Sequence, residues 1–402
     1  MISVQDALQI LRDNIPEPQK KIVPLEEAYR CFLFEDIRAP ESSPRYTNSA
    51  MDGFALRWAD CEGASKAHPA TLQIIGESQA GIPFDGEVIA GTAVRISTGA
   101  MLPAGADSVV RVEDTREKER DVEIWEIRAI GQDVRSAGEE FREGDQLFAK
   151  GYRLGSRALA LLASFGINQV PVYAPPQVSL LVTGTELASP VEQAIQPHQI
   201  RDSNSIMLAN AVREVGARVH SRMHVEDSLD CTIKAVRQAA DSGDDIILCS
   251  GGVSVGKHDH VKDAALSAGF TELFWKIRQK PGKPLFVCKR DNTLLFGLPG
   301  NPVSAFMCFH NYVRPVIAEL LGTSSVNRTI TAKTTETVIN NGKRTNFVRV
   351  SLENIPNEVT LISEVAQQGS HMLSSIVNAD GYIVLEPGEK LKPGNLVEVF
   401  LF

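Results

Sequence analysis

Apolar positions change period along this chain, and the changes divide it. At the start, Ala7, Leu8 and Leu11 recur at helical spacing behind Ser3, a good N-cap, so an amphipathic helix is expected. Helical spacing is read over residues 1 to about 43 and again over 152–168, through Leu154, Leu159, Leu162 and Phe165. Residues 45–137 instead carry short runs such as 71–75 and 93–96, split by glycine turns, the mark of strands. That β-rich stretch therefore reads as an insertion into a helical domain. Prolines at 171–176 mark a second boundary. Beyond it, strands at 178–182, 218–224, 245–249 and 272–277 alternate with helices at 205–215, 227–240 and 261–268. Asp202 and Asn204 are cap candidates for the first helix, and Asp227 or Ser228 for the second. A hairpin over 284–296 follows, then a long apolar helix from Pro302 to Leu321. The alternation predicts a doubly wound α/β domain. After Thr323 short strands return and run to Phe402.

The expected organisation is a multidomain α/β plus β protein. Residues 1–44 and 138–172 form a helical N-terminal and linker domain, and 45–137 the inserted β-rich domain. Residues 173–323 form the central α/β domain, and 324–402 a small β-barrel-like domain. A chain of 402 residues is too long for one core, which agrees with several domains. With 43% hydrophobic and 23% charged residues it is ordinary globular protein. The net charge of −9 argues against a broad nucleic-acid surface, so any bound anion must meet a local basic pocket. No apolar run approaches the roughly 18 to 20 residues of a membrane span. Residues 1–8 lack a basic region and a signal core. The six cysteines are scattered without a Cys-x-x-Cys pair, so reduced thiols in a cytoplasmic protein are expected.

Three glycine loops close predicted strands: Thr183-Gly184-Thr185-Glu186, the 250–256 run Ser-Gly-Gly-Val-Ser-Val-Gly, and Leu298-Pro299-Gly300-Asn301-Pro302. If the strands are parallel neighbours, all three loops open at the edge where α/β sheets bind ligands. Backbone donors there, with Glu186, Asp259, Lys276, Lys280 and Lys283 nearby, suit a phosphate plus a divalent cation. Backbone geometry alone explains one or two glycine turns, but less well three at strand ends. Gly251 to Lys257 nearly spells a P-loop, yet His258 stands where a Ser or Thr hydroxyl must bind magnesium. In His258-Asp259-His260 adjacent side chains point to opposite sides of a strand-like segment. Asp259 is therefore read as a hard-cation ligand, in preference to a two-histidine transition-metal site. Glu186 and Asp227 are further oxygen donors, although Asp227 reads first as a helix N-cap. Lys276, Arg278, Lys280 and Lys283 place four cations in eight residues, either a solvated loop or an anion site. The charge run at 113–121 reads as a surface loop or hairpin tip.

Together these segments resemble molybdopterin molybdenumtransferase, the family that includes the gephyrin E domain. The resemblance rests on the 49–53 run Ser-Ala-Met-Asp-Gly, Ser97-Thr98-Gly99-Ala100, the three glycine loops, the 280–284 run Lys-Pro-Gly-Lys-Pro, and Gly369-Ser370-His371. They occur in family order over nearly the whole chain. The resemblance implies a molybdopterin-binding type of α/β domain and a homodimer. It implies an active site shared between the α/β domain of one subunit and the β-rich domain of the other. The implied substrates are adenylylated molybdopterin and molybdate, with Mg2+ or another divalent cation and release of AMP. Asp52 and Thr98 are implied as catalytic from the β-rich domain, Glu186 and Asp259 as catalytic and metal-binding from the α/β domain. Asp227, Ser250, Gly251, Gly252, Ser254, Lys276, Lys280, Pro299 and Pro302 are implied to bind substrate. Other cofactor-biosynthesis proteins are admitted as partners. The family often carries Asp where Thr185 and Glu140 stand. The alternatives are a non-catalytic scaffold of the same fold and the related molybdopterin adenylyltransferase, which lacks the extra β domains.

Overall fold

The computed structural model describes residues 1–189, 191–192, 194–253, 259–323, 328–356 and 359–402. Two units divide the chain: Met1–Glu35, Lys150–Ala160 and Asn168–Phe402 in one, Asp36–Ala149 and Leu161–Ile167 in the other.

In the larger unit a six-stranded sheet occupies the centre. Its strands are β1 (Gln177–Thr183), β2 (Arg218–Val225), β3 (Ile246–Ser250), β4 (Thr271–Trp275), β5 (Phe286–Arg290) and β6 (Thr293–Leu298). Their spatial order is β2-β1-β3-β6-β5-β4. The first four run parallel, and the β5–β6 hairpin turns β5 antiparallel. Alternate residues serve opposite faces. Ile246 and Leu248 pack with Leu208, Val212, Phe309 and Ile317, whereas Ile247 and Cys249 pack with Val236, Ala239, Val261 and Ala265. Helices Asn204–Glu214 and Pro302–Cys308 thus cover one face, and Leu229–Asp241 and Val261–Ser267 the other. Burial on both faces explains the nearly unbroken apolar runs of β1, β3 and β6. The doubly wound domain expected from the sequence is present.

Some elements differ from expectation. The strand placed at 272–277 stops at Trp275, because Lys276 turns to φ 66°. The N-terminal helix does begin at Ser3, which shares a capping box with Asp6, but it ends at Arg12. Residues up to 43 are therefore not largely helical. Pro16, Pro18 and Pro24 break that segment, and Lys20–Pro24 pairs as a strand with Gln169–Tyr173. The long helix is helical from Pro302 to Leu320, but Phe309–Val313 forms a π-turn inside it.

The C-terminal strands close on themselves. Thr345–Glu353, Leu361–Glu364, Thr329–Thr334, Leu396–Leu401 and Gly381–Leu385 pair in that order, and the last returns to the first. The result is a small barrel around Val348, Val350, Ile383 and Val399. Gln279–Lys280 adds a short parallel strand to it at Thr345–Asn346.

The smaller unit is built on a six-stranded sheet with Phe54, Leu56, Leu72, Val110 and Ile124 in its core. Gly53 is required there, since a Cβ would lie 1.9 Å from the Val110 carbonyl oxygen. The 113–121 charge run is largely the exposed hairpin of Thr115–Lys118 and Asp121–Ile124.

Candidate functional site

Strands β1, β3 and β6 are hydrogen-bonded neighbours, and Val182, Ser250 and Leu298 stand side by side in register at their ends. The three glycine loops therefore leave one edge, as the sequence predicts. A cavity of 660 Å³ opens there. Glu186, Asp227, Ser250, Gly251, Gly252, Asp259, Pro299 and Pro302, all singled out from the sequence, line it. Ser254 lies outside the described residues.

Glycine is enforced where β3 ends. Gly251 has φ 92°, and a Cβ on it would sit 2.8 Å from the Thr183 carbonyl oxygen. Side chains then tie the loops together. Asn204 Nδ2 donates to Ser250 Oγ and to the Gly300 carbonyl, each at 2.8 Å. Asp227 Oδ2 accepts the Thr185 N–H at 2.8 Å. Asp227 is not the helix cap: Ser228 is, with its Oγ accepting from Cys231 N at 3.2 Å. One position of displacement moves the carboxylate from helix capping to ordering the Thr183–Glu186 loop. Asn204 is likewise no cap, since Ser203 precedes it in that position.

The barrel supplies part of the wall. Ser370 accepts from Asn301 Nδ2 at 3.1 Å, and its carbonyl accepts the Val303 N–H at 3.1 Å. His371 and Leu373 line the cavity as a result. Sequence reasoning used Ser370 and His371 only as family marks. It missed Asp202, Asn204 and Arg201, which also line the cavity, and the signal available was the polar Arg-Asp-Ser-Asn run before a predicted helix.

Four carboxylates (Glu186, Asp202, Asp227, Asp259) face this space, and among the described residues the cationic lining is Arg201, with the His371 imidazole also in the wall. A phosphate entering so acidic a cavity needs a counter-charge. Among the described residues no three His, Cys, Asp or Glu side chains converge into a closed metal cage. The Glu186, Asp227 and Asp259 carboxylates are oxygen donors of the kind a hard divalent cation takes, one or two of them with waters and phosphate oxygens making up the rest.

Lys276 and Lys280 stand in the same unit but do not line the cavity. The Lys276 ammonium lies 3.7 Å from the centroid of the Trp275 ring, a cation–π contact. The Trp275 indole donates to the Val253 carbonyl at 3.2 Å, so this lysine rests on the residue that braces the second glycine loop. Lys280 belongs to the strand beside the barrel. Near it Arg349 is fully buried, with Nε and Nη2 unpartnered among the described residues. Burial and then Glu336 push the Glu364 carboxyl up, against the pull of Arg349 and Lys280. Arg349 was not legible as a site residue: on sequence it is one polar position in a strand.

In the smaller unit, Asp52 Oδ1 accepts the Thr98 N–H at 2.7 Å. Two residues 46 positions apart are thus one local constellation, with the Thr98 loop turned by Gly99 at φ 78°.

A doubly wound domain with acidic residues at its ligand edge, flanked by a β-rich insertion and a barrel, defines a class, and comparison with known proteins agrees. The family described as MoeA N-terminal region (domain I and II) matches residues 2–166, the probable molybdopterin binding domain residues 179–319, and the MoeA C-terminal region (domain IV) residues 331–402. Molybdopterin molybdenumtransferase of Staphylococcus epidermidis is 32% identical over 402 residues, 100% of this chain and 95% of the relative. That of Haemophilus influenzae is 34% identical over 96% of this chain and 95% of the relative. The crystal structure of molybdopterin biosynthesis moea protein from Pyrococcus horikosii superposes with a TM-score of 0.87 at 30% identity, covering 100% of this chain and 99% of that one. The chain belongs to the molybdopterin molybdenumtransferase family.

Proposed function

We propose that this protein is a transferase of molybdenum cofactor biosynthesis that inserts molybdate into adenylylated molybdopterin with release of AMP. One observation carries the reading: the cavity at the ends of β1, β3 and β6 gathers Glu186, Asp227 and Asp259 with glycine-loop amides, in a chain that matches the family along its whole length. The match of both flanking regions argues against the adenylyltransferase alternative, which lacks them. Opening a phosphoanhydride beside an incoming oxyanion crowds negative charge. Glu186 and Asp259 would hold a divalent cation, which supplies charge compensation when bound. The loop amides and the Asn204-tied Gly300 turn orient the substrate. Purified protein given adenylylated molybdopterin, molybdate and Mg2+ should release AMP, and no release under any divalent cation would refute the reading. A scaffold without catalysis would give that negative result.

The six cysteines are free thiols, and no helix among the described residues is long and apolar enough to cross a membrane. Both support a cytoplasmic enzyme.

By family resemblance Lys276 and Lys280, which lie outside the lining of the cavity, would capture the oxyanion. In a chain of net charge −9, capture relies on a short-range cationic pocket. Lys276→Ala or Lys280→Ala should raise the molybdate concentration for half-maximal rate by about tenfold, the size of one lost charged hydrogen bond. Pterin adenylate binding should change less. Arginine at either position restores charge but not the compact ammonium, so recovery should be partial. Titration of molybdate at saturating pterin adenylate decides it, and an unchanged dependence in both alanine variants removes the lysines from this role.

By family resemblance the working form is a homodimer, with Asp52 and Thr98 of one subunit completing the site of the other. Asp52→Ala and Asp259→Ala proteins, each severely impaired alone, should regain part of the lost activity after subunit exchange. No recovery despite demonstrated exchange would eliminate the shared site.

A further inference from the structure

Gln279 is fully buried and its carboxamide is wholly committed. Nε2 donates to the Pro281 carbonyl at 2.9 Å and contacts Cys308 Sγ at 3.6 Å. Oε1 accepts the Tyr312 hydroxyl proton, and the Gln279 carbonyl accepts from Arg344 Nη1 at 3.1 Å. The Cys308 thiol also donates to the Gly282 carbonyl at 3.6 Å. Gly282, at φ 95°, leaves no room for a side chain: a Cβ would lie 2.5 Å from Gln279 Nε2 and 2.6 Å from Cys308 Sγ. The backbone on both sides of Lys280 is therefore clamped from within the protein by two side chains of one helix.

Those side chains flank or occupy the π-turn Phe309–Val313. The turn has local causes. Pro315 lacks the N–H that would bond the Asn311 carbonyl in an α-helix. Asn311 Nδ2 donates to the Met307 carbonyl at 2.8 Å, and Asn311 Oδ1 accepts the Tyr382 hydroxyl proton at 2.7 Å. Such turns are rare and recur at functional sites. The same helix begins at Pro302, in the cavity wall.

We propose that the π-turn is a positioning device for Lys280. It aims Tyr312 at Gln279, and Gln279 sets the backbone from which the lysine projects. Tyr312 and Gln279 are positioning residues that touch no substrate. The proposal rests on the reading that Lys280 meets the oxyanion.

The test uses full-length Tyr312→Phe, the double variant Tyr312→Phe/Gln279→Leu, and Lys280→Ala. Three quantities are measured: amide hydrogen exchange over 277–284, thermal stability, and the KM values for molybdate and for adenylylated molybdopterin. Tyr312→Phe strands a buried acceptor, so exchange at 280–283 should quicken about tenfold and the molybdate KM rise by a similar factor. The pterin adenylate KM should stay within about twofold of wild type. The double variant loses the Nε2–Pro281 bond as well, so exchange at 280–283 should quicken further and its molybdate KM rise at least as far as in Tyr312→Phe. A merely structural clamp would raise both KM values alike as stability falls, and that result overturns the proposal. Unchanged exchange in Tyr312→Phe overturns it as well. If Lys280→Ala raises the molybdate KM and Tyr312→Phe does not, the proposal alone falls. If Lys280→Ala leaves that KM unaltered, the reading of Lys280 falls and takes the proposal with it.

Discussion

Asp259→Ala is expected to cut cation-dependent AMP release about a hundred- to a thousand-fold while the protein stays folded. Asp259 lines the cavity just before helix Val261–Ser267 and is half-buried, outside the apolar cores on either face of the sheet. Alanine therefore removes a carboxylate without opening a core void. The remaining lining carboxylates, Glu186 and Asp227 among them, would keep a weaker site for the proposed cation. Higher Mg2+ should consequently restore part of the rate in Asp259→Ala, which a residue contacting only substrate would not allow. Thermal unfolding checks the fold, and AMP release across a magnesium series checks the role. Near-wild-type turnover at low magnesium by a folded variant would exclude Asp259 from the site.

Gly251→Val should be nearly as damaging, through backbone geometry. At φ 92° a β-branched residue is strained by roughly 1–3 kcal/mol. Its Cβ also meets the Thr183 carbonyl oxygen at 2.8 Å, an atom fixed at the end of β1. Relief requires moving the floor of the cavity, and a displacement near 1 Å costs on the order of 100-fold in rate. Gly243→Ala is the control. It has a similar φ of 79°, has nothing within 4 Å of its Cβ, and does not line this cavity. It should lower the melting temperature by a few degrees and leave AMP release per folded molecule unchanged. Equal loss of activity in both variants would mean that backbone strain alone, wherever placed, accounts for the effect.

The ligand edge was legible because parallel buried strands write themselves as short apolar runs, and a glycine follows within two residues of the end of each of β1, β3 and β6. The N-cap at Ser3 was legible for a similar reason: the cap and the amide it serves, that of Asp6, are three residues apart. What failed was information carried by distant contacts. Asp227 and Ser228 are equal cap candidates in sequence, and only the Thr185 amide across the sheet edge separates them. The segment after Arg12 has helical spacing, but its partner strand lies at Gln169–Tyr173, far along the chain. Gln279 reads as one more polar residue among lysines. Its burial follows from the Tyr312 hydroxyl and the barrel strand at Thr345, neither of which is visible locally. The π-turn was likewise hidden, since an apolar run of that length matches an ordinary helix.

That turn also makes residue number a constraint separate from residue type. An α-helix advances about 100° per residue. A π-turn winds less tightly and so holds one residue more than a regular helix over the same turn. Dropping one residue inside Phe309–Val313 would bring the helix back toward regular winding and leave Val316, Ile317 and Leu320 facing the sheet they now pack against. Dropping one after Pro315 finds no such slack, and would swing Leu320 off the sheet by that angle. Along this helix single-residue deletion is therefore open at the turn and closed beyond it.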